Sequence, residues 1–354
     1  MFKQKKLFEL LRTGLAIVIA LIIALVTIIF ASEEPARALS IFLFGPLDSL
    51  RHFGNVLEMM IPLLFTGLAV SIMFSAAQFN LGAEGAFFLG GIAATSVAIN
   101  QNLIPIVHPV LAILAGGLTG ALFCGIPALL KVKWNASELV SSLMFNYVAL
   151  FLGLYLINYY MRDVNAGAMV SYRLAETSKL FRLVSGTRVH FGIILAALIV
   201  VAGYFFMFRT RWGYRIRLTG LNSSFARYSG IKTASVIVLS QVLGGFVAGS
   251  GGAIEILGMY RRFSWQSLPG YGWDGIIVAI LARNNPALIP VGAFFLAYLR
   301  IGADLMARTS DVQSEVVYII QGVMIVLIAA ESFLARYRHK LVYRDARKTA
   351  EVGE

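Results

Sequence analysis

The sequence has few charged residues and almost no cysteine. Asp, Glu, Lys and Arg make up 14% of the 354 residues, whereas the apolar residue types make up 58%. Soluble domains carry about 25% charged residues, so the composition excludes an ordinary soluble fold. The single cysteine, Cys124, excludes a disulfide within the chain and a cluster of thiolate metal ligands.

Motifs for catalysis and for nucleotide binding are missing as well. The four histidines lack the spacing of metal ligands, and no HExxH sequence occurs. No Gly-Lys dipeptide occurs either, which excludes a Walker A phosphate loop. We therefore expect no catalytic residue, no metal site and no cofactor in this chain. If ATP drives its activity, the ATP and Mg²⁺ bind to another subunit.

Long apolar runs dominate what is present. A helix needs about 20 apolar residues to cross the hydrocarbon core of a bilayer, and ten such segments can be placed. They predict an all-α polytopic membrane protein with a single transmembrane domain over residues 1–354. The predicted spans are 13–31, 56–77, 80–100, 108–130, 137–160, 189–208, 234–257, 274–283 with its flanks, 286–303 and 316–335.

The basic residues between these runs predict the orientation. Lys and Arg are enriched in cytoplasmic connections, and most of them fall on one side if both termini lie in the cytoplasm. The cytoplasmic segments are then the basic N-terminus 1–12, the loop 209–233 and the tail 336–354. This bias accounts for the formal charge of +12 without nucleic acid as a partner. The expected location is the cell membrane, with multiple spans.

Interruptions within the apolar runs predict broken or re-entrant helices. Residues 59–99 leave no room for a proper loop, and glycines at 244–252 precede the sequence PGYGWDG at 269–275. Non-helical backbone at membrane depth is tolerated where protein buries it or where it lines a cavity. Matched breaks in two halves of a chain are typical of a transport site between internal repeats.

Four polar residues inside the predicted spans are candidates for the translocation path: Asn80, Glu84, Asn146 and Glu255. An ionisable side chain within a span usually faces the bundle interior or a polar path. Each residue also has a structural interpretation. Glu84 could bind backbone amides at a helix break, Glu255 could reach water near the end of its span, and Asn146 could hydrogen-bond across helices.

The stretch Arg209–Lys232 is a basic island without an acidic residue. Asn222 is a suitable N-cap, residues 223–229 are long enough for two helical turns, and Gly230 suits a left-handed C-terminal position. A helix this short is unstable alone in water. We therefore interpret it as a docking element.

Three motifs resemble the permease subunits of bacterial ABC importers, in the branch for simple sugars and nucleosides that is related to branched-chain amino acid permeases. They are FNLGAEGAFFLGG at 79–91, TRWGYRIRLTGLNSSFARYSGI at 210–231 and GYGWDGIIVAILARNNP at 270–286. The resemblance extends over about residues 55–335. The sequence departs from the pattern at Ala86, where Gln is frequent, and at Ala282, where Gly is frequent.

The resemblance implies two permeases side by side and a short cytoplasmic helix that docks on an ABC ATPase subunit. The coupling residues would be Gly220, Asn222, Phe225, Ala226, Arg227, Tyr228 and Gly230. The implied partners are the ATPase, a second and non-identical permease, an extracytoplasmic substrate-binding protein or lipoprotein, and membrane lipid.

The GYGWD and RNNP sequences within 270–286 resemble nucleoside permeases more than ribose permeases, and this resemblance favours nucleosides as the solute. Simple sugars and branched-chain amino acids are the alternatives within the family. A rival from a different class is an ion-coupled secondary transporter in which Glu84 and Glu255 carry protons. That rival predicts uptake by this chain alone, driven by an ion gradient.

Overall fold

The computed structural model describes residues 32–100 and 103–312, together with the isolated positions 26, 29 and 322. The first and tenth predicted spans, 13–31 and 316–335, lie outside the continuous described residues. The predicted cytoplasmic segments 1–12 and 336–354 also lie outside them. The chain divides into two compact units, Leu50–Ala297 and the two chain ends, Met1–Ser49 with Tyr298–Glu354.

The described part of the chain is helical and contains no β-strand beyond two isolated bridges. This confirms the predicted all-α class. A 3₁₀ turn follows α1, and a short π-helix continues α5 to Met161. The helices are α1 Pro35–Phe44, α2 Leu50–Phe74, α3 Ala83–Ala98, α4 Val107–Trp134, α5 Glu138–Leu156, α6 Gly192–Arg209, α7 Arg211–Leu221, α8 Ser223–Tyr228, α9 Thr233–Met259, α10 Tyr271–Leu281 and α11 Ile289–Thr309.

Six described helices are long and apolar enough to cross a membrane: α2, α4, α5, α6, α9 and α11. Each corresponds to a predicted span. The predicted spans 80–100 and 274–283 correspond to α3 and α10, which have 16 and 11 residues and are shorter than a full crossing. These two helices follow the non-helical segments 75–82 and 260–270.

Helix α9 is the centre of the Leu50–Ala297 unit, where it packs against α2, α3 and α4. Its glycines do not break it, so the predicted interruption at 244–252 is wrong. They instead allow neighbouring backbones to approach. A Cβ atom on Gly252 would lie 1.9 Å from the carbonyl oxygen of Phe87, and one on Gly245 would lie 2.3 Å from that of Gly120.

The same unit has loops at two opposite ends of its helices. At one end, Gly220 lies against Ser75 directly after α2, and the end of α4 and the segment 210–232 with α7 and α8 lie there; we call this the short-helix end. At the other end, the segments 161–191 and 260–270 hydrogen-bond to each other, as Leu174 N–H does to the carbonyl of Arg261 at 3.0 Å. We call this the loop end.

In the second unit, α1 and the last turns of α11 are joined by side-chain hydrogen bonds. Tyr298 donates its hydroxyl to the carbonyl of Leu43, and the Asp311 carboxylate accepts the Ser32 hydroxyl at 2.7 Å. Residues 32–55, between the first and second predicted spans, form α1, a 3₁₀ turn and the first turn of α2. Pro35 lies in the first turn of α1, where proline favours helix initiation.

Candidate functional site

The short helix α8 has the capping residues predicted for it. The Asn222 side chain accepts the N–H of Phe225 at 2.9 Å. At the other end Gly230 adopts φ +81°, and the N–H groups of Gly230 and Ile231 reach the carbonyls of Arg227 and Ala226 at 3.0 Å. This is the Schellman pattern, which needs a residue that tolerates the left-handed conformation. The caps explain how six residues form a helix.

Most side chains of α8 are exposed at the short-helix end. Tyr228 is 92% exposed and Phe225 is 56% exposed, and their spacing of three puts them on one face. Leu221, just before the helix, is also exposed, as is Arg227. Ala226 is the only buried residue of α8, so the helix packs on the rest of the fold through a single small side chain. The large residues are left available for a partner.

Close backbone contacts connect this segment to the membrane helices. A Cβ atom on Gly213 in α7 would lie 2.2 Å from the carbonyl oxygen of Phe206, so α7 turns tightly off the end of α6. A Cβ atom on Gly220 would lie 2.1 Å from the carbonyl oxygen of Ser75. Since Ser75 begins the non-helical segment between α2 and α3, the end of α7 touches the point where the membrane helix breaks.

Glu84 is buried and joins α3 to the start of α10. Its two carboxylate oxygens accept the N–H of Gly270 at 2.6 Å and the N–H of Gly272 at 2.5 Å. These N–H groups belong to the N-cap residue and the first turn of α10, where no preceding helical carbonyl is available to them. A negative charge at a helix N-terminus is also favoured by the helix dipole. The structural interpretation of Glu84 therefore accounts for its burial without a bound solute.

Asn80 and Asn146 meet at the break before α3. The Asn146 amide donates to the carbonyl of Leu81 and accepts the N–H of Gly85, both at 3.0 Å. Asn80 accepts the N–H of Gly82 at 2.7 Å, so it closes a turn one step before the helix and is not its N-cap, which is Gly82. Both side chains thus satisfy backbone groups at the break, whereas the Asn80 Nδ2 atom is buried without a hydrogen-bond partner among the described residues.

Glu255 is remote from this group and lies near the loop end of α9. It is buried, so the expectation that it reaches water is wrong for the described fold. Its Oε2 atom has no hydrogen-bond partner among the described residues. Its carboxyl group interacts electrostatically with that of Glu58 in α2, a residue that sequence reasoning did not select. The four candidates therefore do not converge on one site.

The loop end has polar interactions that the sequence did not reveal. The Asp163 carboxylate binds the Arg262 guanidinium at 2.6 Å, and this contact lowers the pKa of Asp163. Burial and the nearby Arg182 lower the pKa of His190 to about 4. The neutral His190 ring accepts the N–H of Gly192 through Nδ1 at 3.1 Å, directly before α6. These contacts hold the loop between α5 and α6 in place.

Aromatic rings pack between α3 and the segment before α10. Trp265 stacks on Phe87 with 5.7 Å between ring centroids, and Tyr271 approaches Phe87 at 5.3 Å. Trp273, two residues after Tyr271, is exposed, whereas Trp265 and Tyr271 are half-buried against α3, close to the Glu84 contact.

Comparison with known proteins agrees with the fold and the motifs. Residues 53–329 match the family model described as the permease component of branched-chain amino acid transport systems. The chain belongs to this permease family. The match includes both breaks, the short helix α8 and all four buried candidates.

Three curated relatives narrow the family branch. The glucose ABC transporter permease protein of Haloferax volcanii is 33% identical, over 96% of this chain and 93% of its own length. The guanosine ABC transporter permease protein of Bacillus subtilis is 30% identical, over 94% and 96%. The nucleoside ABC transporter permease protein of Lactococcus lactis subsp. cremoris is 27% identical, over 90% of both chains. The chain is thus an ABC permease subunit of the sugar and nucleoside importer family.

Proposed function

We propose that this permease forms the translocation path of an ATP-driven nucleoside importer and docks through α8 on a separate ATPase subunit. The observation that carries the proposal is the exposure of Phe225 and Tyr228 on a capped helix outside the spans. Aromatic residues and arginine are the side chains most enriched at the energetic centres of protein interfaces. Arg227 lies between the two rings in the sequence and supplies a charged contact.

The contact of Gly220 with Ser75 supports a route from the docking helix to the membrane. Closure of the ATPase subunits would push α8 and the end of α7, and the backbone contact would pass the movement to the segment 75–82. That segment leads directly into α3, whose first turn holds α10 through Glu84. Both short helices, α3 and α10, would therefore move with α8. This movement would open the path to one side of the membrane at a time, as alternating access requires.

The choice of a nucleoside as the solute rests on the relatives and on the amino-acid sequences of the motifs. A guanosine and a nucleoside permease are among the relatives that cover nearly the whole chain. The glucose permease of Haloferax volcanii supports a second candidate, a simple sugar. Both solutes are neutral and carry several ring hydroxyls.

The partners follow from the same proposal. Two permeases would enclose the path between them, and the second is expected to be non-identical. An extracytoplasmic binding protein or lipoprotein would deliver the solute at the loop end. The short-helix end would then face the cytoplasm, which gives the orientation with both termini inside.

The test of this function is uptake by the complete importer in proteoliposomes. Labelled guanosine, uridine, glucose and leucine are supplied with the cognate binding protein, with and without internal ATP. Accumulation of a nucleoside only with ATP supports the proposal. Accumulation of glucose alone would replace the nucleoside with a sugar. Uptake by this chain alone under an ion gradient, without the ATPase, would establish the secondary transporter instead.

A further inference from the structure

A groove at the short-helix end is not used by the docking helix. It has a volume of about 450 Å³ and lies where α4 ends, α7 begins and α9 begins. Its apolar lining residues are Val132, Trp212, Ala234, Val238, Leu239 and Val242. Ser235 is the single polar side chain among the described lining residues. The groove is therefore apolar although it opens beside the most basic segment of the chain.

The groove runs along the direction of the membrane helices. Ala234, Val238 and Val242 are spaced by four residues, so they line one face of α9 over about 12 Å at 1.5 Å per residue. Gly125 of α4 approaches Val242, which shows that α4 forms the other wall further along. Leu122, Ile126 and Leu129 continue as an exposed apolar row on α4. A chain entering at the mouth can thus continue along a surface that faces hydrocarbon.

The mouth of the groove is basic. Arg211 adjoins Trp212 in the sequence, and the Arg215 guanidinium lies 4.9 Å from the centroid of the Trp212 ring. Lys133 follows Val132, and Lys232 precedes the first turn of α9. Arg211, Arg215, Lys133 and Lys232 are all exposed. The positive charges are therefore placed at the end of the groove where the helices leave the apolar layer.

Within the described residues, none of these four basic side chains makes an ion pair. No acidic residue occurs between Arg209 and Lys232, and the next one after Lys232 is Glu255. Glu138, at the start of α5, is held by Lys131 at 3.2 Å. The exposed Trp212 adds the amphipathic ring that is enriched at membrane interfaces. An apolar chain attached to an anionic head group matches both parts of the groove.

We propose that the groove binds an anionic glycerophospholipid of the adjoining leaflet, with an acyl chain against α9 and the head group beside Arg211 and Arg215. Anionic head groups are attracted by clustered Lys and Arg near the membrane surface. Because the same groove is bounded by α7 and the start of α9, the bound lipid braces both ends of the segment that contains α8. The inference depends on the membrane location of the permease and does not depend on its solute.

The test uses the fluorescence of Trp212 in the complete importer reconstituted into nanodiscs. Brominated phosphatidylglycerol or brominated phosphatidylcholine is added at increasing mole fraction, and quenching in the wild type is compared with quenching in Trp212→Phe. The difference between the two proteins is the signal of Trp212. We expect half-maximal quenching by phosphatidylglycerol at a several-fold lower mole fraction than by phosphatidylcholine. Removing one charge with Arg211→Gln or Arg215→Gln should reduce this preference on the order of fivefold.

Two further variants separate the parts of the site. Val238→Phe fills the groove without adding a tryptophan and should reduce quenching by both lipids, whereas Arg173→Gln at the loop end should change neither. Ser235→Cys, labelled with a photoreactive crosslinker, identifies what covers the groove. Crosslinking to lipid supports the proposal. Crosslinking to the ATPase or to a second permease overturns it. Quenching of the wild type and of Arg215→Gln to the same extent by phosphatidylglycerol and by phosphatidylcholine also overturns it.

Discussion

The carboxylate of Glu84 accepts the backbone N–H of Gly272, a residue 188 positions later in the chain, at 2.5 Å. This contact joins the two short helices of the membrane domain at their N-termini. Neither helix is long enough to cross a bilayer alone, so their position depends on such contacts. A Cβ atom on Gly272 would lie 2.3 Å from the Glu84 nitrogen, which shows how closely the two backbones approach.

Replacing Glu84 with Gln should destabilise the permease by about 2 kcal/mol, since hydrogen bonds to a charged group are worth about 1.5–3 kcal/mol. The amide NH₂ of Gln would face one of the two backbone N–H groups. Thermal unfolding of the purified complex measures the effect. Glu176→Gln is the control, because Glu176 makes an exposed ion pair with Lys179. If Glu84→Gln unfolds like the wild type but has lost uptake, Glu84 contacts the solute and the positioning role is wrong.

Asn146→Leu should also destabilise the fold, because the carbonyl of Leu81 and the N–H of Gly85 would lose their partner. Leaving such buried groups unsatisfied costs about 1–3 kcal/mol. Tyr147→Phe is the matched control in the same helix turn, since Tyr147 is exposed. The measurement is thermal unfolding, with Asn146→Asp as an intermediate case that keeps only the acceptor. Equal unfolding temperatures for Asn146→Leu and Tyr147→Phe would contradict the bridging role.

Gly252→Ala should lower the free energy of unfolding by about 2 kcal/mol or more, because a backbone atom cannot move aside as easily as a side chain can. The new Cβ atom would lie 1.9 Å from the Phe87 carbonyl oxygen. Gly125→Ala is the matched helical glycine, whose new Cβ atom would come no closer than 3.4 Å to a side-chain atom. It should be neutral or stabilising by up to about 1 kcal/mol through helix propensity. Similar unfolding temperatures for the two variants would refute the close packing of α9.

The stability of the permease should fall as the pH decreases from 7.5 to 5. His190 has a pKa of about 4 in the fold and about 6.5 when unfolded, so between these values only the unfolded state binds the proton. Well above pH 6.5 the ring is neutral in both states and the free energy of unfolding does not depend on it. On acidification this free energy decreases, by about 2 kcal/mol at pH 5. The pKa of Asp163 is lowered, so its contribution is lost only at more acidic pH.

The control for this pH dependence is His190→Asn, whose side-chain oxygen can still accept the N–H of Gly192. Thermal unfolding of this variant should depend less on pH over the same range. Parallel curves for the wild type and the variant would show that another group is responsible.

The sequence predicted those features that depend on local chemistry. The caps of α8 follow from Asn222 and Gly230 alone, and six of the predicted spans correspond to helices of sufficient length. The sequence could not predict whether the glycines at 244–252 interrupt α9 or lie within it. Glycine can break a helix, and it can also allow a neighbouring backbone to approach the helix. Only the positions of Phe87 and Gly120 beside α9 decide between the two.

The roles of the buried polar residues were also beyond the sequence. Glu84 and Gly272 are far apart in the chain, and no spacing rule connects them. Asn146 was identified as a polar residue within a span, but its partners lie at the break before α3 (Leu81) and in the first turn of α3 (Gly85). The groove beside Trp212 could not be predicted either, because it forms where the ends of three helices come together.

The central claim, that α8 is the docking element for a separate ATPase, is tested most directly by co-purification and uptake of a double variant. Arg227→Ala with Tyr228→Ala removes the exposed charge and ring but leaves the caps and the buried Ala226 intact. Trp134→Ala is the control, because Trp134 is an exposed aromatic residue at the same end but outside α8. The account predicts normal membrane insertion, with loss of the ATPase from the purified complex and loss of ATP-driven uptake in the double variant alone. Retention of the ATPase together with wild-type uptake would contradict it.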